Sequence, residues 1–501
     1  MSNTTTASVR KAGITSHDYP FSFTAGLERI VKSSKELTNR LDELKNEIAV
    51  TLAIPTEAGE PIQAQRGRLN ADNYSQFRPR VDAMQKAVER AKELGLRVIR
   101  QGRFGLTVAG AANLIEEVSK TKLVLQSLPR RSPERSVRAF AASFNKPRAC
   151  DLFLAPTESL TLPAPVSDYI DNFVFIPPPL YFAPSAIPPT YKWFGLADKE
   201  LRTILNVPSE FDGAGIRIAM IDSGFFSHPF YQAGGYLLRP TPTLSSPNPG
   251  SDSYGHGTAI AFNAFMVAPK VEVLGIKQSN PPQDSLEEAA ELSVDIISCS
   301  WGYDNEQVIP ILQATILDLV RQGSILLFAA GNGHSAWPAS QPEVISIGGV
   351  YSNSEGNLSA SNFASGFRSN IFADRQVPDL CGLCGQLPKG VYFMLPTKPG
   401  SRMDRDHAGM ALDGTKGNDG WVGASGTSSA TPQVAGVIAL LIQKARVNGT
   451  VLSPAIVKDI LTKTCNPITN GTGGNGAPAV GQPNVATGWG LVDAAAALAL
   501  I

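Results

Sequence analysis

IRIAMIDSG (216–224) is an apolar run that stops on an acid, a hydroxyl and a glycine. It is short for a helix, and its composition is that of a strand buried on both faces. VEVLGIK (271–277), VDIISCS (294–300), SILLFAA (324–330) and VISIGG (344–349) share this character. Helical stretches such as VIPILQATILDLVRQG (308–323) lie between some of them. That alternation predicts an α/β unit: a doubly wound parallel sheet with helices on both faces. Sites in such sheets form at the carboxyl ends of the strands.

Three motifs fall where that rule places a site. Asp222 stands at the exit of the first strand, His256 stands between glycines in SYGHGTAIA (253–261), and Ser428 opens the apolar helix of GASGTSSATPQVAGVIALL (423–441). Singly, each has an ordinary structural explanation: a turn acid, a tolerated or metal-binding imidazole, an N-cap serine. Together, an acid, an imidazole and a hydroxyl at the termini of one sheet's elements supply the parts of an acyl-transfer triad.

These motifs resemble those of the subtilisin-like serine proteases. The DSG, HGT and GTSxATP signatures stand as Asp222-Ser223-Gly224, His256-Gly257-Thr258 and Gly426 to Pro432, in the order Asp, His, Ser. The resemblance covers about 196–501 and implies a subtilisin-like peptidase domain. It implies that Asn332, in SILLFAAGNG (324–333), donates to the oxyanion together with the Ser428 backbone. It also implies that Ser300-Trp301-Gly302 and Ala330-Gly331 line the primary specificity pocket, with Trp301 narrowing the groove. The segment between Lys277 and Val294 is shorter than is usual in the family, which leaves the second substrate-binding edge in doubt. Ser429 stands where a methionine is common. No catalytic metal is expected. Family members often carry structural calcium, but MDRDH (403–407) lacks a recognisable calcium loop, and His228, His334 and His407 show no ligand spacing.

The chain has 501 residues, 43% hydrophobic and 18% charged, with zero formal net charge. This is the composition of a globular chain of more than one domain, with no global steering toward nucleic acid or membranes. The beginning of the sequence shows no secretory signal and no run long enough to span a membrane, so a cytoplasmic location is expected. Five cysteines form no disulfide framework. The CxxC of Cys381 and Cys384 reads as a structural pair, a local disulfide, a redox pair or half a metal site.

Ahead of the peptidase region, residues 1–23 read as a flexible start and 24–128 as a small α+β domain. ERIVKSSKELTNRLDELKNE (28–47) and FRPRVDAMQKAVERAKELG (77–95) are amphipathic helices, EIAVTLAIP (47–55) is a strand, and LRVIRQGRFGLTVAG (96–110) is a hairpin. AANLIEEVSK (111–120) is a short helix and TKLVLQSL (121–128) a last strand, giving the split βαβ (ferredoxin-like) order. This resembles the pro-domains of subtilisin-like proteases, which implies an intramolecular inhibitor. Residues 129–195 are rich in proline and aromatics and read as an apolar linker, with Arg130-Arg131 as a candidate processing site.

The leading expectation is a serine endopeptidase acting on peptides or proteins and restrained by its N-terminal domain. A transpeptidase or macrocyclase using the same residues, and a silent scaffold, are the alternatives. With an imidazole as general base, activity should fall as the pH drops through about 6.5, where the group ordinarily gains its proton. A flat rate from about pH 4 to 8 with the fold intact would remove His256 from that role.

Overall fold

The computed structural model describes residues 27, 31, 34–127, 152–156, 169–181, 198–386, 393–407 and 415–501. The expected flexible start, Arg130-Arg131 and Cys150 lie outside the described residues.

In the N-terminal region, α1 (Lys35–Asn46) leads into β1 (Ile48–Ala53). The amphipathic α2 (Val81–Glu93) is followed by the hairpin β2 (Arg97–Gln101) and β3 (Leu106–Gly110), then by α3 (Ala112–Ser119). Here the structure departs from the expected order. β4 (Leu123–Ser127), expected to complete the sheet, pairs instead with β5 (Leu152–Pro156). The fourth strand of the sheet is β6 (Asn172–Val174), in the order β2-β3-β1-β6, with every pairing antiparallel. The stretch expected to be a linker thus contributes β5 and β6. Successive strand residues face opposite sides, and β6 uses both: Phe173 enters the core of the N-terminal unit and Val174 the core shared with the next domain.

β1 is two-faced for the same reason. Val50 and Leu52 pack inward among Ala83, Ala87, Ile115 and Val108, whereas Ala53 joins the shared core. Thr51, fully buried, accepts a hydrogen bond from Gln283 Nε2 at 2.9 Å.

The second domain is built on an eight-stranded sheet. Its strands are β7 (Arg217–Asp222), β8 (Leu237–Pro240), β9 (Glu272–Lys277), β10 (Ile296–Cys299), β11 (Ile325–Ala329), β12 (Ile345–Ser352), β13 (Leu358–Ala360) and β14 (Leu380–Leu383). The order is β13-β12-β11-β10-β7-β9-β8, with β14 also on β12, and only β13 runs antiparallel. The central strands β7 and β9 to β12 read as continuous apolar runs because both of their faces are covered, whereas the edge strand β8 is largely exposed. α4 (His256–Ile260), α5 (Phe262–Val267) and α8 (Thr427–Val447) pack with one face of the sheet; α6 (Pro282–Glu291) and α7 (Pro310–Arg321) pack with the other. Among the described residues no helix is long and apolar enough to cross a membrane.

The N-terminal sheet docks on α6 and α7 through buried polar contacts. Arg100, 9% exposed, reaches Glu287 at 3.2 Å and also pairs with Glu291. The backbone N–H of Arg103 donates to Glu287 Oε1 at 3.0 Å, and Arg78 and Arg103 both pair with Asp318. The Thr107 hydroxyl donates to Asp284 Oδ1 at 3.1 Å. Ion pairs of this kind gain little net stability over apolar packing, but removing one partner is costly. They therefore fix where the domain sits more than how tightly it holds.

Burial, reinforced by the nearby Glu287 charge, raises the Asp284 pKa well above the ordinary carboxyl range. A group whose pKa is raised in the docked fold stabilises it at low pH and loses that contribution as the pH rises through the raised value. Asp284→Asn keeps an acceptor for Thr107 and carries no charge. It should raise the thermal midpoint of the N-terminal domain by about 2–4 °C at pH 8 and leave it unchanged at pH 4. Equal midpoints for wild type and variant at pH 8 would contradict this.

Candidate active site

β7 delivers Asp222 to the carboxyl edge of the sheet, and α4 begins with His256 directly opposite. His256 Nδ1 lies 2.8 Å from Asp222 Oδ1, with both side chains almost wholly buried. Asp222 Oδ1 also accepts the Ser223 N–H at 2.7 Å, while Oδ2 is buried without a hydrogen-bond partner among the described residues. The glycine after His256 is a steric requirement. A Cβ on Gly257 would stand 2.3 Å from the Gly224 carbonyl oxygen and 2.9 Å from Asp222 Cβ.

A buried acid that the sequence reading passed over holds the two loops together. Asp252, 0% exposed, accepts from the Ser223 hydroxyl and the Gly255 N–H through Oδ1, both at 2.8 Å. Through Oδ2 it accepts from the Thr258 N–H and hydroxyl. Ser223 Oγ in turn accepts the Gly257 N–H at 3.0 Å. Burial raises the Asp252 pKa, and its four donors oppose that rise.

Ser428 lies in the first turn of α8, after Gly426, whose φ of 143° is open to glycine but not to other residues. The Ser428 hydroxyl donates to the Ser300 carbonyl at 3.2 Å, and Ser300 Oγ returns a bond to the Ser428 carbonyl at 3.0 Å. No hydrogen bond joins Ser428 to His256 among the described residues. α8 and α4 are nonetheless packed together, and a change of χ1 well is enough to re-aim a serine hydroxyl. Asn332 follows β11, and its Oδ1 accepts from the N–H and the hydroxyl of Thr427, both at 3.1 Å.

Ser300, Trp301, Gly302, Gly331, Asn332 and Ser428 line one pocket at this edge, with Leu180, Ala329, His334, Ala336 and Thr427. Ala330 is not on its wall; it is fully buried in the core. The expectation that Trp301 narrows the groove also fails. Its side chain is 2% exposed, its Nε1 donates to the Ile221 carbonyl at 3.0 Å, and its ring packs edge-on against Phe328. The indole stiffens the floor between β7 and β11 rather than projecting from it.

The sequence reading missed the residues that approach from outside the sheet. Leu180 pairs antiparallel with Gly302, its N–H donating to the Gly302 carbonyl at 3.0 Å. Tyr181 lies over His256 with ring centroids 5.3 Å apart. Tyr254 and Gln278 contact Tyr181 in turn.

Other candidates lie elsewhere. Cys381 and Cys384 are buried free thiols; burial raises both pKa values, that of Cys384 to about 12, as expected of inert core cysteines. His228 caps a short helix by accepting the Phe230 N–H at 3.2 Å. Among the described residues no group of three or more His, Cys, Asp or Glu side chains is placed to hold a metal ion.

Replacing Asp252 with alanine would strand four donors around the Asp222 and His256 loops. Asp252→Ala should destabilise the second domain by about 3 kcal/mol, measured by denaturant unfolding. A loss below about 0.5 kcal/mol would show that these bonds are readily replaced by water.

Comparison with known proteins finds relatives of the chain. The chain is 29% identical over 349 residues to a calcium-dependent protease of Trichormus variabilis, covering 58% of this chain and 48% of that protein. It is 25% identical over 286 residues to the serine protease AprX of Bacillus subtilis, covering 50% of this chain and 61% of that one. The chain thus spans about half the length of the Trichormus variabilis protease. A solved lanthipeptide protease aligns over 60% of this chain and 95% of its own at 19% identity, with a TM-score of 0.46. Residues 213–490, more than half of the chain, match the model of the Subtilase family, and the chain belongs to that family.

Proposed function

We propose that the chain is a serine endopeptidase in which Asp222, His256 and Ser428 form the catalytic triad and the N-terminal domain acts as an intramolecular inhibitor. The observation that carries the reading is the buried 2.8 Å contact between His256 Nδ1 and Asp222. It fixes the tautomer that leaves Nε2 as an acceptor for a serine proton.

Catalysis begins when the Ser428 hydroxyl leaves the Ser300 carbonyl and turns to His256. Neutral His256 takes its proton as Oγ attacks a peptide carbonyl, and Asp222 stabilises the imidazolium. The negative charge on the carbonyl oxygen develops beside the start of α8. The Ser428 N–H is one of the first four amides of that helix, which have no intrahelical acceptor, and the helix dipole adds positive potential. Asn332 has its acceptor end engaged by Thr427, so its donor end is the part that serves the oxyanion. His256 returns the proton to the leaving amine, and water resolves the acyl-enzyme.

Support for self-inhibition comes from Leu180 and Tyr181. An extended segment paired with Gly302 and lying over His256 occupies the ground a substrate backbone would need. The N-terminal sheet continues directly into that segment through β6.

Purified wild type should cut itself between about residues 129 and 195, whereas Ser428→Ala should remain full length. A fluorophosphonate should label wild type and leave Ser428→Ala untouched. Asn332→Leu should lower turnover about 10²–10³-fold, a magnitude taken from loss of the oxyanion asparagine in subtilisin itself. Wild type that neither reacts with the probe nor cuts any peptide would overturn the reading.

A further inference from the structure

Among the described residues, the short connection after β9 leaves one side of the cleft without a strand. β9 ends at Lys277 and α6 begins at Pro282, so residues 278–281 are all that lie between. A segment paired with Gly302 on one side has no backbone ladder on the other among the described residues. Two side chains close that side instead. The Tyr254 hydroxyl donates to the Tyr181 carbonyl at 2.6 Å, which is a contact to main chain. The Tyr181 hydroxyl donates to Gln278 Oε1, also at 2.6 Å.

Both partners are held in place by the catalytic framework. The Gln278 N–H donates to the Asp222 carbonyl at 2.7 Å, continuing the register in which Lys277 stands beside Asp222. Tyr254 precedes His256 by two residues; its carbonyl accepts the Met403 N–H at 2.9 Å, and the Arg402 guanidinium lies 4.6 Å over its ring. The rings of Tyr181, Tyr254 and His256 form a mutual cluster, with Tyr254 5.4 Å from Tyr181 and 6.0 Å from His256. Gln278 Nε2 is buried with no hydrogen-bond partner among the described residues. A buried amide half-satisfied only when a phenol is present has a reason to select for one.

We propose that Tyr254 and Gln278 form a subsite for tyrosine. Tyr254 holds the carbonyl of the substrate residue that lies against His256, and Gln278 reads the hydroxyl of that residue's side chain. Tyr181 is the chain's own occupant of this subsite. The substrate class is therefore a polypeptide with an extended segment carrying tyrosine at this position. The inference rests on the endopeptidase reading. Burial and the Asp222 charge push the Tyr181 phenol well above its usual range, so it stays a donor to Gln278.

The test uses the full chain and a fluorescence-quenched peptide with the sequence of residues 176–186, IPPPLYFAPSA. Two further peptides carry phenylalanine or alanine in place of its tyrosine. Wild type should show kcat/KM about tenfold lower for the phenylalanine peptide and lower still for the alanine peptide. Gln278→Leu should cut the tyrosine and phenylalanine peptides at equal rates. Tyr254→Phe should slow all three peptides by a common factor and leave their ratios unchanged. In the uncut full chain, Tyr181→Phe should speed fluorophosphonate labelling of Ser428 about fivefold, because the internal occupant is loosened. Retained labelling certifies that a variant is folded.

Equal cutting of the tyrosine and phenylalanine peptides by labelled wild type would overturn the subsite while leaving the protease reading intact. So would a tyrosine preference that survives in Gln278→Leu. Absence of both labelling and cutting in wild type would overturn the two together.

Discussion

The arrangement depends on excluding water from the contact between Asp222 and His256. A carboxylate and an imidazole at 2.8 Å are worth little when solvated and a great deal when dry. Dryness here is a matter of backbone geometry. Only glycine at 257 lets the start of α4 settle onto the exit of β7, and Asp252 ties the two loops with four hydrogen bonds. The buried carboxyl of Asp252 is thus a fixture of the site without touching the imidazole. The parallel register of β7, β9, β10 and β11 brings the remaining participants to the same edge.

The N-terminal domain meets this scaffold on different terms. Its sheet has one apolar face turned to its own helices and one mixed face turned to α6 and α7. On the mixed face Arg100 meets Glu287 and Glu291, and two buried threonines meet Gln283 and Asp284; beside it, Arg103 in the β2–β3 turn and Arg78 meet Asp318. Such contacts specify position. They hold the sheet where its edge strand can feed a segment into the cleft.

Much of this was legible in the sequence, and what escaped did so for physical reasons. The five buried strands announce themselves because both faces are apolar. Asp222, His256, Asn332 and Ser428 stand in motifs whose spacing carries their meaning. Asp252 sits four residues before His256, but one sequence does not separate a buried acid from a loop acid. β6 was hidden because it is three residues long and precedes a proline run, which reads as linker. Trp301 points into the core rather than the groove, and residue size alone does not distinguish the two. Tyr254 and Gln278 gain their role only once Tyr181, remote from both in sequence, is laid between them.

The join between β6 and the cleft has a mechanical consequence. Val174 is clamped to Thr51 at the sheet edge and Leu180 to Gly302 in the cleft, and Pro177-Pro178-Pro179 makes up three of the five residues between. Polyproline is stiff, with little slack to take up movement at one end before the other feels it. The two clamps therefore behave as the ends of a strut. Vacating the cleft pulls on the sheet, and fraying the sheet edge unloads the cleft. The hold on residues 175–181 is accordingly set in two places at once, one of them outside the cleft.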